Sequence, residues 1–162
     1  MDWTKDTEDF APHISNLRDI YITGTSLDDW NQFLGFVRGG VTFRFFRGDE
    51  ESELPTSVEQ IFEMHTESMT LLTIDPGGMC LHCHFFAESE IEMDIDPRVF
   101  GALGEIERLS EFLAGLGTVL DKPVQVTHEN QPHLVIWRYE PTEDRWIHWS
   151  ELEKEQDVTF ST

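Results

Sequence analysis

Residues 79–96 (MCLHCHFFAESEIEMDID) hold the densest set of groups able to do chemistry in this chain. They carry both cysteines, Cys80 and Cys83, two histidines, His82 and His84, and the carboxylates Glu88, Glu90, Glu92, Asp94 and Asp96. Imidazoles two residues apart on a strand share a face, and could chelate a transition metal with Asp94 or Glu92 as a further ligand. The same groups could form cross-strand His–carboxylate pairs on a solvated sheet, each contributing roughly 0.2–1 kcal/mol. A third chemistry is electrostatic. No Lys or Arg stands between Glu88 and Asp96, so the carboxylates make a field that a basic partner would neutralise.

The elements that must position these groups are two strands, expected over 79–86 and 90–95. In the first, Leu81, Cys83 and Phe85 alternate with Cys80, His82, His84 and Phe86. In the second, Ile91, Met93 and Ile95 alternate with Glu90, Glu92 and Asp94. Paired as a hairpin, the apolar faces have to coincide, because a slip of one residue turns every side chain over. That register sets Phe85 opposite Ile91, Cys83 opposite Met93 and Leu81 opposite Ile95. It also sets His84 opposite Glu92 and His82 opposite Asp94, with a connection of about three residues around Glu88. The three-residue spacing of Cys80 and Cys83 points them to opposite faces. No disulfide is expected, which fits a reducing cytoplasmic setting.

A second acidic cluster, Asp49, Glu50, Glu51 and Glu53, lies in a stretch, 48–55, that reads as a charged loop. These residues, with Glu88, Glu90, Glu92 and Asp94, are the expected contacts for a basic partner. Trp137 and Trp146 lie on two strands expected to pair near the C-terminus. Such residues are usually core, but exposed ones would serve as interface anchors, since Trp is enriched in binding hot spots.

The remaining pattern gives the frame. Residues 18–23 (RDIYIT) read as a first strand. Ser26 and Asp29 form a capping box ahead of Leu27, Trp30, Leu34 and Val37 at helical spacing, and Gly39 and Gly40 close that helix. A strand over 41–46 follows, then a helix capped by Thr56 and Glu59, then a strand over 69–74 joined by the turn Asp75-Pro76-Gly77-Gly78 to the one at 79–86. Asp96-Pro97 opens a third helix with the stripe Leu103, Ile106, Leu109, Leu113 and Leu116. Strands over 124–127, 134–139 and 145–149 close the order β-α-β-α-β-β-β-α-β-β-β. The fold class expected is α+β, a mostly antiparallel sheet with about three helices packed on it. It occupies 17–149 as one domain, flanked by an acidic flexible arm over 1–16 and an acidic tail over 150–162.

Charge narrows the function. The net charge is −21 in 162 residues, from 32 Asp+Glu against 11 Lys+Arg. Self-repulsion of that size costs stability, and a basic partner would offset it. Direct nucleic-acid binding and anionic membranes have the wrong sign for such a surface. No apolar run reaches the ~18 residues of a membrane span, and the first ten residues lack the apolar core of a secretory signal. The chain carries no GxSxG, Walker A, GxGxxG or HExxH motif, and Cys80–Cys83, its one CxxC spacing, has no second CxxC to make a zinc-type pair. No catalytic residue and no cofactor are therefore expected.

In size, charge, α+β pattern and acidic surface the chain resembles bacterial immunity proteins, antitoxins that neutralise basic toxin domains, often nucleases. The resemblance implies a toxin inhibitor that works by occlusion, its carboxylates pairing with the Lys and Arg that hold the toxin's substrate. Two alternatives share some of these features. One is a DNA mimic acting on a DNA-binding protein, for which Glu90–Asp96 supplies one row of carboxylates at a repeat of roughly 6.6–6.8 Å. The other is a metal-binding protein or enzyme using His82, His84 and Asp94. An acidic adaptor or homo-oligomer is a fourth reading, which self-repulsion opposes.

Overall fold

Nine strands form one antiparallel sheet, and the chain order explains how. The computed structural model describes residues 17–100 and 103–160, so the arm expected over 1–16 lies outside the described residues. The elements are β1 (Arg18–Thr23), α1 (Leu27–Gly40), β2 (Thr42–Arg47), β3 (Glu50–Ser52), α2 (Val58–His65), β4 (Thr70–Asp75), β5 (Leu81–Ala87), β6 (Glu90–Ile95), α3 (Leu103–Leu120), β7 (Val124–His128), β8 (Gln131–Glu140), β9 (Arg145–His148) and α4 (Trp149–Phe160). The strands lie side by side as β3-β2-β4-β5-β6-β1-β7-β8-β9. After β1, the α1 crossover carries the chain out to β2. The meander β4-β5-β6 brings it back to one side of β1. The α3 crossover then delivers β7 to the other side, and β7-β8-β9 continue outward. This is the α+β single domain expected from the sequence.

Alternation makes the core. Ile20 and Ile22 of β1, Leu72 and Ile74 of β4, Leu81, Cys83 and Phe85 of β5, and Ile91, Met93 and Ile95 of β6 are wholly buried on one face. α1, α2 and α3 contact one another through α1 and contribute to the same core. α1 buries Trp30, Phe33, Leu34 and Val37, the stripe its spacing predicts. Its Ser26–Asp29 capping box forms as expected: Asp29 N–H donates to Ser26 Oγ at 3.2 Å and Ser26 N–H to Asp29 Oδ2 at 2.9 Å. Trp30 stacks on Phe85 at 5.2 Å and donates its indole N–H to the Glu88 carbonyl at 3.0 Å. That bond ties the β5–β6 turn to the start of α1. The α3 stripe Ile106, Leu109, Leu113 and Leu116 is buried.

Several expectations shift. Residues 50–52, read as loop, form β3 as a hairpin on β2, turned by Gly48 at φ +60°. Alternation is hard to see in a three-residue strand, which is why the sequence conceals it. The cap of α2 is Ser57 with Gln60, one residue later than expected. Asp96-Pro97 caps a single 3-10 turn, Pro97–Val99, and extended backbone at Phe100 delays α3 to Leu103. The tail expected from 150 is mostly helix: Trp149–Phe160 forms α4, which packs on β8 and β9. Trp149 and Leu152, three apart, give it an apolar edge. Among the described residues, no helix is long and apolar enough to cross a membrane.

Candidate functional site

The sheet face opposite the three core helices carries the polar groups, and the strand register arranges them in rows. Across the strands, Glu51, Phe46, Leu71, His84, Glu92, Tyr21, Gln125 and Arg138 stand in one row. Arg44, Thr73, His82, Asp94, Asp19 and Thr127 stand in the next. The β5–β6 register is the one the alternation predicts for Leu81↔Ile95, His82↔Asp94, Cys83↔Met93 and His84↔Glu92. It then shifts, so that Ala87 faces Glu90 and the turn is two residues, Glu88 and Ser89. The extra residue expected in the turn is taken up as a bulge between His84 and Ala87.

Asp94 is the centre of this face. Its Oδ1 lies 3.2 Å from His82 Nδ1 and its Oδ2 lies 2.5 Å from His84 Nε2. His84 therefore reaches diagonally to Asp94, although Glu92 is its register partner. Burial would raise the Asp94 pKa, but hydrogen bonds and charge from the two imidazoles outweigh it and hold the carboxyl down at about 2. The same hydrogen bond raises the His82 pKa against the opposing effect of burial. Glu92 is in the reverse situation. Partial burial raises its pKa, and the negative charges of Asp19 and Glu90 push it further up, with only His84 acting against them. Tyr21 beside it is raised by burial and then by Asp19 and Glu92. Asp19 is itself buried and accepts from Tyr21 Oη at 3.2 Å and from the Asn130 N–H at 2.7 Å.

Chemically, this is a surface of held and repelled charge. Among the described residues, no group of three His, Cys, Asp or Glu forms a metal-holding cluster. Of the candidates, His82 and His84 each bond Asp94. Cys80 lies 3.6 Å from His82 Nε2, but burial and the charges of Asp75 and Asp94 raise its pKa, which disfavours the thiolate a nucleophile needs. Cys83 is wholly buried and raised well above the usual thiol range by burial. Both thiols are free, one exposed and one buried.

The acidic candidates separate into paired and unpaired groups. Glu51 is held by Arg44 at 2.9 Å and Asp96 by Arg98 at 2.6 Å. Among the described residues, no ion pair reaches Asp49, Glu50, Glu53, Glu88, Glu90 or Glu92. The two acidic segments are not contiguous: β3 and β6 are four strand steps apart, about 19 Å at the usual spacing. Between them lie Arg44, Phe46 and Leu71.

Trp137 and Trp146 are corrected. They are 2% and 8% exposed, with rings 6.5 Å apart edge to face. They share the sheet side of Val124 and Val126 and join the core, so they are no surface anchors. Among the described residues, the most exposed Phe and Trp side chains are Phe86 and Trp149, at 59% and 43%. Sequence reasoning missed Asp19 and Tyr21 as neighbours of Glu92. The alternation of β1 puts them on the polar face, but its partner strand lies some 70 residues away. The chain matches no protein-family model, no curated protein and no solved structure.

Proposed function

We propose that the protein is an acidic binding protein that occludes a basic protein domain, in the manner of immunity proteins that neutralise toxin effectors. It acts without catalysis of its own and without a cofactor. The observation that carries this reading is Glu92. Burial first, and then the charges of Asp19 and Glu90, raise the pKa of this partly buried carboxylate, and among the described residues no Lys or Arg pairs with it. A surface in that state releases free energy when a cation approaches, because both desolvation and like-charge repulsion are offset. Phe46 and Leu71 in the same row, both partly exposed, supply apolar contact beside the charge, the usual composition of an interface core.

The docking surface divides into two parts. Glu88, Glu90 and Glu92 form the central stripe, and Asp49, Glu50 and Glu53 form a separate rim on the β2–β3 hairpin. Asp94 and Glu51, both paired within the chain, contribute less to a partner than their unpaired neighbours. The DNA-mimic alternative gains less support, because Asp94 is held by two histidines and interrupts the row that would imitate phosphates.

Affinity capture from the native cell, followed by kinetics with the captured protein, tests the reading. A basic protein domain should be recovered, and this protein should block its activity. The variant E50K/E53K/E88K/E90K should associate at least about tenfold more slowly at low salt and show a flatter salt dependence. Equal association rates and equal protection of cells would overturn the reading.

A further inference from the structure

The two most exposed large hydrophobic side chains among the described residues are Met69, at 72%, and Phe86, at 59%. Met69 lines a groove, and Phe86 borders it by stacking on His84, one of its wall residues. The groove has a volume of about 370 Å³ and is lined by Gly48, Asp49, Met69, Thr70, Leu71 and His84, among others. Phe86 lies flat on His84, with ring centroids 5.0 Å apart and planes 4° from parallel. One face of the Phe86 ring is thus covered by the groove wall, while most of the side chain remains in water. The Gly48 N–H donates to the Met69 carbonyl at 2.7 Å, which pins the β2–β3 turn, and Asp49 with it, against the start of β4. The His84 ring is fixed in turn by its bond to Asp94.

We infer that this groove receives an arginine or lysine side chain of the basic partner, with its aliphatic stem on Met69 and Leu71 and its cationic head at Asp49 beside the Phe86 ring. The inference rests on the basic-partner reading above and names the anchor point within it. Three features match that one occupant. Long cationic side chains bury apolar stems while keeping the charge at a polar edge. A cation over an aromatic face gains further attraction. No Lys or Arg lines the groove, and the chain's net charge of −21 favours a cation there over a neutral or acidic group. A purely apolar occupant would leave the Asp49 carboxylate facing hydrocarbon, which costs free energy.

The test uses the whole protein with methyl-labelled methionine and a defined probe, N-acetyl-arginine amide, compared with its neutral isostere N-acetyl-citrulline amide. Saturable shifts of the Met69 methyl and the His84 and Phe86 ring signals are expected with the arginine probe. Binding of the citrulline probe should be at least about threefold weaker, and D49N should weaken the arginine probe by a similar factor. Absence of shifts at Met69, or equal response to the two probes, overturns the groove assignment whether or not a basic partner exists. Met69→Ala, a change at an exposed position, should abolish the site while leaving the thermal midpoint unchanged. Arginine binding at the groove with no basic protein captured from cells supports the groove and removes the functional reading instead. Where a partner is captured, Met69→Ala should raise its dissociation rate several-fold, and an unchanged rate overturns the anchor.

Discussion

Asp94 shows how a single carboxylate can lose its availability as a surface charge. It accepts from two imidazoles, and its pKa falls to about 2 while that of His82 rises. Each shift couples to stability with a definite sign. The lowered Asp94 contributes stability that is present above its unfolded-state value and lost as pH falls toward 2. The raised His82 contributes stability that is present below its unfolded-state value and lost as pH rises through its folded value. Both contributions coexist between roughly pH 4 and 6.5, the ordinary carboxylate and imidazole values. Asp94→Asn should lower the His82 titration midpoint, followed by its ring resonances, and should reduce stability most within that window. A His82 midpoint unchanged in D94N would show that the bond does not govern the ring's titration. Glu92 makes the opposite prediction: binding of a cationic partner should lower its titration midpoint, and an unmoved midpoint would place the partner elsewhere.

Elements decide how closely these side chains are held. The β5–β6 hairpin keeps its register because its apolar face cannot turn over, and the bulge before Ala87 absorbs the residue that a two-residue turn leaves over. The α1 cap and Trp30 fasten that turn from the other layer. Trp30→Phe should keep most of the stacking on Phe85 but lose the bond to Glu88, at a cost of about 0.5–1.5 kcal/mol in denaturant unfolding. α3 is constrained at Gly117, where an added Cβ would lie 2.8 Å from Tyr139 Cδ1, 3.0 Å from Val124 Cγ2 and 3.1 Å from the Lys122 carbonyl. Overpacking of this kind costs roughly 1–3 kcal/mol, while alanine returns about 1 kcal/mol of helix propensity. Two of the contacts are backbone or β-branched and cannot swing aside. Gly117→Ala should therefore destabilise the fold by up to about 2 kcal/mol, measured by the unfolding midpoint. A stabilised variant would show that α3 moves off the sheet freely.

At the scale of the whole molecule, the net charge of −21 acts on both folding and association. Like charges held on one compact body repel, and salt screens that repulsion over about 10 Å at 0.1 M. The thermal midpoint of the free protein should rise as sodium chloride increases from low to moderate concentration, by several degrees if self-repulsion costs about 1 kcal/mol. A midpoint that falls with salt would mean that the intramolecular ion pairs, such as Arg44–Glu51, outweigh the repulsion. Association with a basic partner should respond in the opposite sense and slow as salt increases.

The sequence by itself determined the fold class, the faces of β5 and β6, the α1 capping box and the sign of the chain's own charge. These follow from side-chain period and formal charge, which are local and additive. Only the tertiary structure decided which carboxylates remain unpaired. His84 chose Asp94 over Glu92, Arg44 reached back to Glu51, and Asp19 and Tyr21 came beside Glu92 from a distant strand. It also sent Trp137 and Trp146 inward and left Met69 and Phe86 outside. The physical reason is common to all of these. Pairing across strands and burial between layers depend on which elements become neighbours, and strand order is a choice among topologies that alternation along a single strand does not contain.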